Sequence, residues 1–564
     1  MAYRPDLPLI VQGDRSLLLE TGGPEFEAAR DAIAPFCELV KSPEHVHTYR
    51  ISPLSVWNAA SAGLGAQAML EALQRYSRFE VPGNVKRDLV DLHGRYGRLR
   101  LQADEGGLWL ASQDPDLLRQ VAASTLTRGL VGPAAADGRL PVAREHRGEV
   151  KRALVRLGWP VEDLAGYVDG APLEVTLATC LPGGAPFRLR DYQFEAVEAF
   201  HRSGSLQGGS GVVVLPCGAG KTVVGLGAMA RIGRKTLILT TNHTSVDQWR
   251  QELLTKTSLR PEQVGEYTGE AKDVRPVTIS TYQILTWRKR KTDPFPHFDL
   301  FRQADWGLVI YDEVHMLPAP VFRVTADIQA TRRLGLTATL VREDGQAEDV
   351  FTLIGPKRMD VPWKVLERGG WIAEALCREV RVPLPAEVRR AYAVADQRTQ
   401  FRMAAENPAK LDVLDALLAR HGSEQVLVIG QYLDQLDAIA RRTRAPLING
   451  KTPQEERIAL YQRFRAGDLR CLVVSKVGNF AVDLPDASVI LQVSGAFGSR
   501  QEEAQRLGRV LRPKQDGRRA LFYTLVSDET LEQDFGQHRQ VFLAEQGYAY
   551  EILAAHEVLP GACA

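Results

Sequence analysis

The chain is poor in cysteine, has no long apolar run, and carries charges that all but cancel. Its six cysteines in 564 residues, Cys37, Cys180, Cys217, Cys377, Cys471 and Cys563, include no C-x-x-C pair. That spacing excludes a cysteine-built zinc knuckle or iron–sulfur cluster and suits a reducing compartment. No apolar segment reaches the length of a membrane span. The N-terminus, MAYRPDLPLI, lacks the charged-then-apolar pattern of a secretory signal, so the cytoplasm is the expected compartment. A net charge of +1 excludes binding of polyanions through an overall field, and any such surface must be a local groove. Low-complexity tracts and short repeats are absent. His45 and His47 form an H-x-H pair with no third ligand nearby, which reads as strand or loop rather than a metal site.

What remains is an ordinary globular composition, 45% hydrophobic and 25% charged. At ~150 residues per domain the length predicts three to four domains. Residues 1–115 mix short β-like runs with amphipathic helices and predict an α+β domain. Residues 116–185 predict a smaller unit. It holds a linker-like Gly129–Asp137, a helix over Glu149–Leu157 and a strand over Leu173–Leu177, and it ends at the boundary Pro182-Gly183-Gly184-Ala185-Pro186. From there the texture changes. Apolar runs at 211–215, 235–240, 276–280, 307–311 and 334–336 alternate with helical patterns, the βαβ rhythm of a parallel sheet covered by helices. A second series (425–430, 446–449, 470–475, 488–493, 520–526) follows, so the expected fold class is α/β, with two tandem lobes over 186–360 and 361–564. The stretch 361–424 reads as helix-rich and breaks the rhythm.

Three motifs carry chemistry. LPCGAGKT (215–222) follows an apolar strand and opens a helix. Gly218, Ala219 and Gly220 leave backbone N–H groups bare toward a phosphate at the positive end of the helix dipole. Lys221 then reaches the terminal phosphates of ATP and Thr222 a magnesium ion. The pattern is a variant, because Leu215 stands where a further glycine is usual. Next, the strand GLVIY runs into Asp312-Glu313-Val314-His315. Paired carboxylates at the C-terminal end of a buried strand sit where α/β sheets bind ligands. Asp312 suits Mg2+, Glu313 suits orienting and deprotonating the attacking water, and His315 suits sensing the γ-phosphate. Last, Gln505, Arg509 and Arg512 fall at i, i+4 and i+7 and share one helix face. That face fits arginine fingers delivered from the second lobe onto ATP held by the first, a device worth about 10³–10⁵ in rate in related phosphoryl-transfer enzymes. Separately, Trp287-Arg288-Lys289-Arg290-Lys291 places an aromatic beside a basic run, and Trp287, Arg288 and Arg290 read as a single-strand contact.

GAGKT, DEVH, TAT (337–339) and QRLGRVLR, in this order, resemble a superfamily 2 helicase. The finer resemblance is to the XPB helicase family in its bacterial and archaeal form. It is carried by Arg342-Glu343-Asp344 after the TAT strand, by Asn407-Pro408-Ala409-Lys410, and by Ser475–Asn479 with Asp483-Leu484-Pro485, where Asn479 replaces a usual acid. The resemblance spans essentially the whole chain and implies two RecA-like lobes. It implies that Arg190 and Gln193 belong to an adenine-recognising Q motif. It also implies that Asn242, Thr244, Thr281 and Tyr282 grip the DNA backbone, and that Gly478 and Asp483 couple the second lobe to sugar and nucleotide. Arg342, Glu343 and Asp344 would wedge a duplex. Residues 386–406 would form a short thumb, and 116–185 would stand in the place of the family's damage-recognition domain.

The resulting expectation is an ATP-dependent DNA helicase or translocase active in DNA repair. It would use ATP and Mg2+, act on forked, single-stranded or duplex DNA as a monomer, and have a nuclease as a possible partner and no membrane contact. A duplex translocase with little unwinding, a nucleotide-switched DNA-binding scaffold subunit and an RNA-directed enzyme of the same superfamily share the motifs. Stimulation of ATP hydrolysis by different nucleic acids separates them.

Overall fold

The computed structural model describes residues 4–559 apart from 43–44, 217, 291, 319, 322–324, 326–327, 330, 339–346, 362–365, 368, 372–374, 476–486, 495–519, 535, 537–542 and 544–549. Two seven-stranded sheets dominate it, and every strand pairing in both is parallel. Parallel sheets are covered on both faces, so their strands are continuous apolar runs rather than alternating ones. Ser210–Val214, Thr236–Thr240 and Val426–Gly430 are buried at every position.

Across the first sheet the order is Val264–Tyr267, Val277–Thr281, Thr236–Thr240, Leu308–Asp312, Arg332–Thr337, Ser210–Val214, Lys357–Asp360. Across the second it is Leu447–Ile448, Cys471–Ser475, Val426–Gly430, Val489–Gln492, Ala520–Ser527, Ala375–Val382, Tyr550–Ala554. The molecule is therefore an α/β protein with two RecA-like lobes. Ala375–Val382 corrects the expectation that 361–424 is helix-rich throughout. Arg378, Glu379 and Arg381 interrupt its apolar run, yet Glu379 is fully buried, paired with Arg381 at 2.5 Å and accepting from the Tyr550 hydroxyl at 2.7 Å. The segment 386–406 forms two helices, Ala386–Val394 and Gln397–Ala405.

The N-terminal third holds two four-stranded sheets. One is antiparallel and runs Leu9–Val11, Ser16–Glu20, Val46–Arg50, Glu38–Lys41. The other runs Leu140–Val142, Gly107–Ala111, Leu99–Asp104, Val161–Asp163, with the last pair parallel. This second sheet takes strands from both sides of residue 115. His47 is a core residue lying edge-on to Phe26 at 5.3 Å, and burial pulls its imidazole down to about 4. Among the described residues no group of three or more His, Cys, Asp or Glu could hold a metal, and no helix is long and apolar enough to cross a membrane.

The expected strand over Leu173–Leu177 is instead a strap. It makes only isolated bridges, Pro172 with Arg234 and Leu177 with Thr257. Its backbone ties down the C-terminal ends of the helices Lys221–Ile232 and His243–Lys256: Leu173 N donates to Gly233 O at 3.0 Å and Ala178 N to Lys256 O at 2.9 Å. The strap begins with backbone against backbone, where a Cβ on Gly170 would fall 2.4 Å from Gly307 N.

A buried ion cluster fastens the smaller unit to the first lobe. On the helix Arg147–Arg156, Arg147 and Lys151 both pair with Asp163, at 2.7 and 3.1 Å. Lys151 also donates to Gln329 Oε1 at 2.8 Å, and Arg152 pairs with Asp349 at 2.8 Å. Gln329 and Arg333, both buried, donate to Leu353 O at 2.9 and 2.8 Å and complete the joint on the lobe side. Burial alone would raise the Asp163 carboxyl, but Lys151 and Arg147 hold it well below the carboxylate range. A depressed carboxylate stabilises the fold above its unfolded pKa, and that stability is lost only as pH falls through the lower folded value. Asp163→Asn leaves two buried cations without a counter-charge, and the expected cost is about 3–5 kcal/mol. Urea denaturation at neutral pH checks this; a midpoint equal to that of the wild type would contradict it.

Candidate active site

The C-terminal ends of the first sheet's strands converge on one edge, and the site is built there. Ser210–Val214 delivers the chain into the turn Leu215–Gly220, where Gly218 and Gly220 take φ of 81° and 80°. Gly220 precedes the helix Lys221–Ile232 and, as a glycine, adds no side-chain cap to its first turn, so the positive end of the helix faces the sheet edge. The turn is braced from behind. Tyr192 OH and Gln193 Nε2 donate to Ala219 O at 2.7 and 2.9 Å, and Gln193 Oε1 accepts from Arg190 N at 3.0 Å. A Cβ on Gly220 would meet Gln193 Nε2 at 2.5 Å, so glycine is required for packing as well as for its backbone angle. Gln193 is only 4% exposed, and its carboxamide holds the loop. The open aromatic surface at this corner is Trp371, 38% exposed, with the Arg190 guanidinium 4.7 Å over its ring.

Leu308–Asp312 brings the acid pair to the same edge. Lys221 Nζ donates to Glu313 Oε1 at 2.6 Å, with the lysine 11% and the glutamate 15% exposed. Glu313 adopts φ 51°, a left-handed conformation unfavourable for a side chain with a Cβ. Such a residue persists only where its surroundings hold it. Here the hold is the Lys221 pair together with His315 Nδ1 at 3.5 Å from Glu313 Oε2. His315 shares a hydrogen bond of 2.6 Å with Thr337 Oγ1, which links the acid pair to the first residue of the TAT strand end.

Asp312 is held differently. Its Oδ2 accepts from Trp249 Nε1 at 2.9 Å and from the Thr240 hydroxyl at 3.4 Å, and its carbonyl accepts from Tyr282 OH at 2.8 Å. Burial, then the neighbouring Glu313 charge, raise the Asp312 carboxyl to about 6. Burial acts the same way on Glu313, but Lys221 and His315 outweigh it and hold that carboxyl below its ordinary range. Opposite shifts in two adjacent carboxyls mark a functional site.

The expected DNA contacts divide. Asn242 caps the helix His243–Lys256, its Oδ1 accepting from Ser245 N at 2.9 Å, and stays partly open; the Thr244 side chain lies outside the described part. Thr281 and Tyr282 are both buried: the Thr281 hydroxyl accepts from Ile284 N as a helix cap, and the Tyr282 hydroxyl donates to the Asp312 carbonyl. Trp287 is 53% exposed. Arg342, Glu343, Asp344, Gly478, Asp483, Gln505, Arg509 and Arg512 lie outside the described residues. Lys410 of the N-P-A-K segment is a buried anchor, 1% exposed and paired with Glu532 at 2.7 Å.

Three site residues escaped the sequence reading of the ATP site: Tyr192, Trp249 and Trp371. The first two stand inside segments already singled out, but only the fold turns their rings toward the loop and toward Asp312. Nothing local marks Trp371, which comes from the segment between the first sheet's last strand, Lys357–Asp360, and the second sheet's Ala375–Val382.

Family models match along the chain: ERCC3/RAD25/XPB C-terminal helicase over residues 366–560, the res subunit of type III restriction enzymes over 186–342, and a helicase conserved C-terminal domain over 9–136. The chain is 54% identical to the DNA 3'-5' helicase XPB of Kineococcus radiotolerans, across 98% of this chain and 97% of that one. It is 52% identical to the protein of the same description in Mycobacterium tuberculosis, across 98% and 99%. It is 35% identical to the general transcription and DNA repair factor IIH helicase/translocase subunit XPB of Antonospora locustae, across 98% and 82%. Matched to these relatives along almost its whole length, the chain belongs to the XPB family of superfamily 2 helicases.

Proposed function

We infer that the chain is an ATP-driven DNA helicase that moves 3'-to-5', the activity named for the relatives that match it from end to end. The observation that carries the chemistry is the run Lys221–Glu313–His315–Thr337, four side chains in contact on one sheet edge. In this reading the backbone at the N-terminus of the helix Lys221–Ile232 cradles the phosphates of ATP, and Lys221 exchanges its Glu313 partner for the terminal phosphates. Glu313, kept ionised, accepts a proton from the attacking water. Thr337 and His315 report the state of that pocket to the TAT strand end. Arg190 and Trp371 offer a cationic and an aromatic face to the adenine, with Gln193 fixing the loop between them. Arg509 and Arg512, with Gln505, supply charge from the second lobe as the cleft closes, and Gly478 and Asp483 follow the sugar.

Asp312 and Thr222 offer hard oxygen ligands of the kind magnesium takes, and the phosphates of the nucleotide would complete its shell. The metal neutralises phosphate charge when bound. Raising of the Asp312 carboxyl by burial fits a position made to face a cation. Asn242 and Thr244 belong to the DNA path, while Arg342, Glu343 and Asp344 stand at the duplex edge. The chain acts as a monomer on forked, single-stranded or duplex DNA in repair. A nuclease is its possible partner in repair. The helicase/translocase wording of the Antonospora relative supports a second reading, translocation along duplex with little unwinding. Triplex displacement beside fork unwinding separates the two.

Lys221→Ala and Glu313→Gln are each expected to lower DNA-stimulated ATP hydrolysis to background while the far-UV circular dichroism stays that of the wild type; turnover at the wild-type rate in either would remove the site. Trp249→Phe keeps an aromatic ring in the core but deletes the donor to Asp312, and a hydrogen bond to a charged group is worth about 1.5–3 kcal/mol. The expected result is a loss of that size in urea denaturation together with lower ATP turnover. A fully active, fully stable Trp249→Phe would show the bond to be idle.

A further inference from the structure

The edge strand Val264–Tyr267 and its neighbour Val277–Thr281 end on the same side of the first sheet as the phosphate loop, because all are parallel. The chain leaves the second of these through the short helix Tyr282–Leu285 and reaches Trp287, which is 53% exposed. Trp287 does not hang free. Its ring centroid lies 5.9 Å from that of His297, and His297 lies 5.7 Å from Tyr267, edge-on at 73°. Tyr267 OH and His297 Nδ1 share a hydrogen bond of 2.9 Å, which fixes the middle of this row. Lys272 Nζ sits 4.8 Å over the Tyr267 ring at one end. At the other end Arg288 lies 4.8 Å over Phe295, which in turn packs on Phe298 at 4.8 Å. The backbone N–H of Arg290 is anchored on Asp293 Oδ2 at 3.1 Å.

We propose that this row is a base-stacking platform for single-stranded DNA. One unpaired base lies on the open face of Trp287, and the phosphates on either side are met by Arg288 and Arg290. The proposal rests on the helicase reading and deepens it by naming a contact for the separated strand. Two properties select that occupant. The half-exposed indole is braced from behind by a hydrogen-bonded aromatic pair, so its open face is held ready at little entropic cost. The surrounding charge is cationic, from Lys272, Arg288, Lys289 and Arg290, with Asp293 already engaged at the Arg290 backbone. A base inside a duplex has its faces covered by neighbours, whereas an unpaired base presents a face that stacks regardless of sequence.

The test is fluorescence anisotropy of the full chain with a labelled oligo-dT and with a blunt hairpin duplex, each at low and at moderate salt. Trp287→Ala should weaken oligo-dT binding by about tenfold or more and leave both the duplex affinity and the salt slope unchanged. Trp287→Phe should recover most of the loss. Arg288→Glu with Arg290→Glu should lower the slope of log Kd against log salt by about 1–2. Wild-type oligo-dT affinity in Trp287→Ala, or an equal loss on the duplex, would overturn the platform. If the wild-type ATPase is stimulated by DNA while Trp287→Ala binds normally, the platform alone falls. If the wild type binds no DNA and is not stimulated, the helicase reading falls with it.

Discussion

Holding charge at the rim of an apolar sheet is the constraint on which the rest of this molecule depends. Lys221 and Glu313 meet at 2.6 Å in a setting where neither is more than 15% exposed. A pair so desolvated is tolerable only if its geometry is good and its remaining polar atoms are occupied. The parallel sheet provides the geometry: register places Asp312 beside Leu336 and Thr337 beside Val214, so loop, acid pair and TAT strand end arrive together. Trp249, Thr240 and Tyr282 occupy Asp312, and His315 and Thr337 occupy the far side of Glu313. The ATP chemistry inferred for this edge is the release of that arrangement, since a polyphosphate competes for Lys221 and frees Glu313 for water.

Much of this was legible in the sequence, for a physical reason. Strands buried on both faces must be continuous apolar runs, and Ser210–Val214, Thr236–Thr240 and Leu308–Asp312 announce themselves in that way. Glycines at 218 and 220 announce a turn of positive φ, and at Gly220 a Cβ would also run into Gln193. What failed to show were elements whose patterning is disguised by buried charge. Ala375–Val382 carries Arg378, Glu379 and Arg381 and still forms a central strand, because Glu379 finds Arg381 and Tyr550 inside the fold. The strap at 173–177 failed for the converse reason. Its alternation is that of a strand, but its partners are helix ends, not a ladder.

Sequence proximity to the site does not give the direction of a side chain. Thr281 and Tyr282 follow a strand end on the ligand-binding edge, as phosphate contacts would, but both side chains turn inward. Tyr282 spends its hydroxyl on the Asp312 carbonyl. Gln193 lies beside the loop as expected, but its amide is engaged on Ala219, which leaves Trp371 and Arg190 as the surfaces open to a base. A strand's alternation gives the face a residue occupies, whereas a residue past the strand end takes its direction from tertiary packing that no local pattern encodes.

The distribution of buried ion pairs also says where a motor of this kind can move. Asp163, Arg147 and Lys151 bind the smaller N-terminal unit to the Gln329–Arg333 side of the first lobe. Lys410 and Glu532, each 1% exposed, bind two helices of the second lobe to each other, with Lys410 also donating to Val493 O at 3.0 Å. Breaking either set leaves an uncompensated buried charge, at a cost of about 3–5 kcal/mol, comparable with a large part of a domain's whole stability. In the proposed cycle, conformational work would therefore spare the interior of each body: the ion cluster keeps the smaller N-terminal unit with the first lobe, and the Lys410–Glu532 pair keeps its part of the second lobe together.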